Sequence, residues 1–174
     1  MLAISNPLTY DAFPHVRGAT NDQTKVIEGE LVGTPFPSSF HQAIVLRLTR
    51  AIDRVPAKSG NDAVLFAPID GWLAPDTIVQ PDAVVLLEDQ LSAMVDCGGE
   101  GFPSIAIAVL SPSSSRRDLI VKRRLFATHD VAEYWIVDPA GKTVTINTEP
   151  ADGHYRPVVT SLAPATSALP GRVI

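Results

Sequence analysis

Two stretches decide how this chain folds: QPDAVVLL, Gln80 to Leu87, and IAIAVLSPSSSRRDLIVK, Ile105 to Lys122. The apolar parts, Ala83 to Leu87 and Ile105 to Leu110, run without alternation. Strands buried on both faces have that pattern, so these two are expected to be central strands with helices packed against them. Successive side chains on a strand still point to opposite faces. Ala106, Ala108 and Leu110 therefore share one face, and Ile105, Ile107 and Val109 the other. The first face is small and leaves room beneath the helix that follows.

Outward from this centre the elements alternate. Lys25 to Thr34 reads as two short strands turned at Glu28-Gly29. Ser38 or Ser39 caps a helix from Phe40 to Arg54, whose Ile44, Val45, Leu48 and Ile52 recur at helical spacing. Ala63 to Ala74 reads as a strand broken by Pro68 and Gly71, and Glu88 to Phe102 as a polar connection with room for a short helix. A helix runs from Ser115 to His129, with Ser113 to Ser115 available to cap it. Glu133 to Val137 and Thr143 to Ile146 form a hairpin, and Tyr155 to Thr160 an edge strand. The class is α/β (α+β), a mixed central sheet flanked by helices. One domain over residues 1–174 is expected, with a loose arm at 1–24, a short helix near Thr9 to Phe13, and a tail from 150.

The helix after the second strand carries an anomaly. Stepping about 100° per residue from Leu119 at 0° puts Phe126 near 340°, Leu125 near 240° and Val121 near 200°. On the same count Lys122 falls near 300° and Asp118 near 260°, inside the apolar sector. A lysine there needs compensation. Two readings fit: a snorkelling lysine paired with its i−4 neighbour Asp118, or one held by Asp118 and aimed at an anion above the sheet. Asp82 abuts a central strand and either caps a loop or stands where α/β folds place ligand groups. There it could serve a hard cation such as Mg²⁺.

Other candidates carry less. Ser111 opens the turn into the helix, where serines cap and exposed amides can receive a phosphate. Glu28 and Glu30 flank a turn and are either solvated or able to lend a carboxylate. His41, near a helix start, is a possible base or a structural histidine. Arg116, Arg117, Lys122, Arg123 and Arg124 make one basic patch, either a polyanion surface or a solvated helix face. Tyr134 is placed to pack against the preceding helix, and Trp135 belongs in the core. A Gly-rich phosphate loop, a G-x-S-x-G elbow and a zincin helix are all missing from the sequence, which leaves nucleotide-binding, serine-nucleophile and zinc-hydrolase chemistry without residues.

Composition sets the outer bounds. The chain is 45% hydrophobic and 19% charged, which suits a globular protein. Its formal charge of −5 disfavours indiscriminate DNA coating. Cys97 is the single cysteine, too few for an internal disulfide or a cysteine-based zinc site. The sequence contains no apolar run of the roughly 18 residues a membrane span needs, and Met1 to Val16 lacks the basic start and apolar stretch of a secretory signal. A cytoplasmic location without membrane contact is expected.

In order, VIEGELV (Val26 to Val32), Pro37, Ser38 and His41, QPDAVVL (Gln80 to Leu86), AVLSPSSSRRD (Ala108 to Asp118), Lys122 and VAEYWIVDP (Val131 to Pro139) resemble the Uma-type restriction endonuclease family. Its fold belongs to the PD-(D/E)XK nuclease-like, restriction-endonuclease-like group, and the resemblance covers Leu8 to Ile146. It implies Mg²⁺- or Mn²⁺-dependent cleavage of DNA, and a homodimer so that both strands can be cut. Asp82 matches the family's PD aspartate and would hold the metal. Lys122 matches the lysine moved from strand to helix, which would orient water and stabilise charge. Glu30 matches the acid of the D-G-E-L segment and would complete the site, while Glu28 replaces that segment's aspartate. The family reads E-V-L-S-P with its glutamate on the metal, whereas this chain carries Ala108. It also has Phe126-Ala-Thr-His-Asp130 where a tyrosine and a glycine are usual.

Three readings follow: an endonuclease that recruits Glu30 or Asp70 to the metal, a non-catalytic relative that binds DNA or protein, and an unrelated small-molecule enzyme on the same sheet.

Overall fold

The computed structural model describes residues 23–34, 36–54, 62–67, 69–95, 98–100, 103–111 and 117–161. The two apolar runs are neighbours at the centre of a six-stranded sheet. Strand β6 (Ala83–Leu86) pairs antiparallel with β9 (Ile105–Val109), Ala83 opposite Ile107. Strand β9 runs parallel to β10 (Glu133–Asp138), with Ala108 beside Ile136. The hairpin partner β11 (Thr143–Ala151) and the edge strand β12 (His154–Ser161) extend the sheet on one side, and β3 (Ala63–Phe66) closes the other. Every residue of β6 and β9 is buried.

The two faces of β9 sort as alternation requires. Ile105, Ile107 and Val109 meet Ala83, Val85, Trp135 and the helix α1 (Ser39–Asp53) through Val45 and Ile52. Ala106 and Ala108 meet Leu125, Phe126 and Tyr134. Fully burying side chains of this size stabilises by roughly 1.5–3 kcal/mol each, so the two faces hold the sheet between two apolar layers.

A second sheet, in the order β2-β1-β5-β4-β8-β7, lies over the face that carries Ala106 and Ala108. Its strands are β1 (Gln23–Ile27), β2 (Glu30–Thr34), β4 (Asp70–Ala74), β5 (Thr77–Val79), β7 (Met94–Val95) and β8 (Gly98–Glu100). Ile27, Leu73 and Val79 join Phe126 and Tyr134 in one core. Glu28 and Gly29, at φ 49° and 80°, both turn left-handed, which makes the tight two-residue hairpin. The broken strand expected over Ala63 to Ala74 is thus two strands in two sheets. The connection after β6 contains a 3₁₀ helix, Glu88–Ala93.

The second helix departs from expectation. Arg117–Lys122 winds as a π-helix, and only Arg123–Thr128, here α2, is a regular α-helix. A π-turn holds more residues per turn, so the 100° count loses phase. Leu119, the reference residue of the expected apolar face, is 45% exposed, while Asp118, Lys122, Leu125 and Phe126 are buried. Helix α2 ends where Asp130, at φ 55°, breaks its geometry and the Val131 N–H reaches back to the Phe126 carbonyl at 3.0 Å. The expected helix near Thr9 to Phe13 and the serines at 113–115 lie outside the described residues. Among the described residues, no helix is long and apolar enough to cross a membrane.

Candidate active site

Three elements converge at the end of β9. Ser38, extended at φ −66° and ψ 160°, caps α1 and accepts the His41 N–H at 3.2 Å, which fixes His41 at the third helical position. Asp82 enters β6 with its own N–H bonded to the Ile107 carbonyl at 2.9 Å. Its Oδ2 accepts the Val109 N–H at 2.7 Å, so the carboxylate caps the end of β9. His41 Nε2 stands 3.1 Å from the Val109 carbonyl oxygen and 3.4 Å from Asp82 Oδ2. The Val109 residue is thereby held at its N–H by an aspartate and at its carbonyl by an imidazole. The two side chains remain 14% and 23% exposed, so the pair has an opening to solvent.

Burial alone would push the Asp82 carboxyl up. The hydrogen bond from His41, the positive charge of Lys122 and the Val109 N–H outweigh it and hold Asp82 below its ordinary value. His41 is raised: its hydrogen bond to Asp82 leads, burial opposes, and the charges of Asp82 and Asp118 with the Val109 carbonyl add to the rise. Asp82 is accordingly an anion at neutral pH.

The buried pair predicted on the helix is present, close enough for the charge of Lys122 to act on Asp82. Lys122 Nζ lies 2.6 Å from Asp118 Oδ1, with the side chains 4% and 3% exposed. The lysine does not snorkel. The approach is that of an ion pair rather than a directed hydrogen bond, and Asp118 Oδ1 has no hydrogen-bond partner besides it among the described residues. The Tyr134 hydroxyl donates to the Asp118 main-chain carbonyl at 3.1 Å, and its ring packs at 4.8 Å from that of Phe126. Burial, then the charges of Asp118 and Asp82, push the Tyr134 phenol well up, so it stays a neutral donor.

Other candidates go elsewhere. Ala108 is fully buried under Leu125, Phe126 and Tyr134. Glu30 is exposed at the start of β2 in the other sheet. Glu28 pairs at 3.0 Å with Arg124 on the surface. Asp70 is buried at the start of β4 and accepts from Gln80 at 2.6 Å, on the wall of a cavity of about 350 Å³ shared with Val79, Pro81 and Phe126. Among the described residues, no three His, Cys, Asp or Glu side chains stand together to hold a metal ion. Ser111 is half-buried just past β9. Of the expected basic patch, Arg116 lies outside the described residues, Lys122 is interior, Arg123 donates to Asn147 at 2.7 Å, and Arg124 is paired. The parts that sequence reasoning missed are the Val109 main chain and the Tyr134 hydroxyl. A strand-end peptide and a tyrosine beside a helix give no local pattern that marks such contacts.

Family comparison finds Uma2, described as "Putative restriction endonuclease", over residues 9–173. A crystal structure described as a putative nuclease belonging to DUF820, from Anabaena variabilis, shares the fold at a TM-score of 0.74, over 94% of this chain and 90% of that one, with 20% identity. No curated protein matches. The mixed sheet expected from the two apolar runs is observed, and the restriction-endonuclease-like fold that the resemblance implied is the fold shared with that structure.

Proposed function

This chain belongs to the Uma2 family of putative restriction endonucleases, and from that premise we propose that it hydrolyses DNA phosphodiester bonds with a divalent cation, Mg²⁺ or Mn²⁺, beside Asp82. The observation that carries the proposal is the ionised Asp82 carboxylate, turned toward the Val109 main chain at the end of a central strand and under the influence of Lys122. One carboxylate and one carbonyl are a donor set that a hard cation accepts when waters and substrate phosphate supply the rest. Asp82 Oδ2 and the Val109 carbonyl are the atoms that would hold it. A cation bound there supplies Lewis acidity toward the phosphoryl oxygens and makes water a better nucleophile.

The chain's own groups supply the remainder. Asp82 holds its charge at neutral pH because His41, Lys122 and the Val109 N–H outweigh its burial. Lys122 would add positive charge beside Asp82, where the substrate phosphate gains negative charge, and Asp118 keeps its ammonium in place. Tyr134 pins the main chain of the π-turn that carries Asp118. Glu30, exposed and in the other sheet, takes no part in this proposal. Cutting both strands needs two such sites, which a homodimer would provide.

A second reading, a nuclease-like module that binds without cutting, is favoured by one observation: Ala108 is buried in the core and offers no carboxylate. Nicking of supercoiled plasmid in Mg²⁺ or Mn²⁺ separates the two. The endonuclease reading expects nicking by the wild type that EDTA, Asp82→Ala and Lys122→Ala each abolish. A wild type that binds no divalent cation, with cleavage appearing only in Ala108→Glu, establishes the second reading.

A further inference from the structure

The site has one more donor than an aspartate and a carbonyl. His41 Nε2, Asp82 Oδ2 and the Val109 carbonyl come from α1, the start of β6 and the end of β9, and the imidazole nitrogen is 3.1 and 3.4 Å from the two oxygens. Two donors on one first-row cation, each about 2.0–2.2 Å from it, stand roughly 3.0–3.5 Å apart, from octahedral to tetrahedral geometry. The two edges that meet at His41 Nε2 already have those lengths. The Ser38 cap holds the histidine there from the other side, because the His41 N–H is bonded to Ser38 Oγ.

We infer that His41 Nε2 is a metal ligand beside Asp82 and the Val109 carbonyl, and that it turns the site toward cations that accept nitrogen. The inference rests on the metal-dependent reading above. A nitrogen, a carboxylate and a carbonyl suit Mn²⁺, Co²⁺ or Zn²⁺, whereas Mg²⁺ favours an all-oxygen shell and gives up its waters reluctantly. Ligation uses the Nε2 lone pair, so the ring carries its proton on Nδ1 in the loaded protein.

Mn²⁺ is the probe, read by calorimetry and by electron spin-echo modulation from ¹⁴N. The wild type is expected to bind one Mn²⁺ at least about tenfold more tightly than Mg²⁺, with imidazole ¹⁴N modulation. His41→Gln is expected to lose that modulation and to bind Mn²⁺ about 10–100-fold more weakly, the range that removal of a metal site's supporting partner reaches. Wild type that binds Mn²⁺ without ¹⁴N modulation, or modulation that persists in His41→Gln, overturns the assignment of His41 and leaves the metal-dependent reading standing. Wild type that binds neither cation overturns both. The spectroscopic arm needs only the wild type, so a poorly folded variant cannot hide the answer.

Discussion

Replacing Asp118 with alanine removes the carboxylate that stands 2.6 Å from Lys122 Nζ and leaves the ammonium in a place where only 4% of the lysine side chain meets solvent. Breaking a buried pair from one side costs about 3–5 kcal/mol, because the remaining charge has lost its partner without regaining water. That is a large share of the roughly 5–15 kcal/mol that a domain has in total. For a chain of this size it corresponds to a fall in Tm of about 6–20 °C. Removing both charges, in Asp118→Ala/Lys122→Met, takes away the buried charge itself and lets a side chain of similar length fill the space beside Leu125 and Phe126. The double variant is therefore expected to be more stable than Asp118→Ala alone. Urea unfolding followed by fluorescence of the buried Trp135 gives both values. A loss below about 1 kcal/mol in Asp118→Ala, as a surface pair would give, or a double variant no more stable than the single one, refutes a buried and interdependent pair.

Tyr134→Phe deletes the hydroxyl that donates at 3.1 Å to the Asp118 carbonyl and leaves a buried acceptor, for an expected loss of about 1–3 kcal/mol by chemical denaturation. Arg124→Ala removes an ion pair whose side chains are 58% and 63% exposed, so its expected loss is under about 1 kcal/mol, shrinking further in high salt. The His41–Asp82 pair shapes stability against pH in the metal-free protein. Asp82, held below its ordinary 3.8, contributes stability that is complete above that pH and is lost as pH falls through its folded value. His41, raised above 6.5, contributes stability that is complete below 6.5 and is lost as pH rises through its folded value. Tm measured in EDTA from pH 3 to 9 should peak between these limits, and Asp82→Asn should flatten both sides; an unchanged profile in that variant removes the pair as the cause.

The sequence foretold most where burial was complete. The continuous runs of β6 and β9, the split of Ile105, Ile107 and Val109 from Ala106 and Ala108, and the Asp118–Lys122 pairing all follow from period and spacing, and all are present. The second sheet was harder to read. Strand β5 spans only Thr77 to Val79, too few residues to show a period, and β7 and β8 are shorter or glycine-rich. The exposure of Leu119 was hidden because a π-turn changes the angular step that any helical count assumes. His41 could be placed at a capped helix start, but its partner Val109 lies 68 residues away, and only the folded sheet brings them together.

The most direct test of the central claim is the single-turnover rate of cleavage of a fluorescent duplex in Mn²⁺, compared between the wild type and Asp82→Asn. The substitution keeps the size of the side chain and removes its charge. If Asp82 holds the cation for the reaction, the variant is expected to be slower by about two orders of magnitude or more, on the scale of losing one main electrostatic group. Equal rates in the two proteins would contradict the account and move the chemistry away from Asp82.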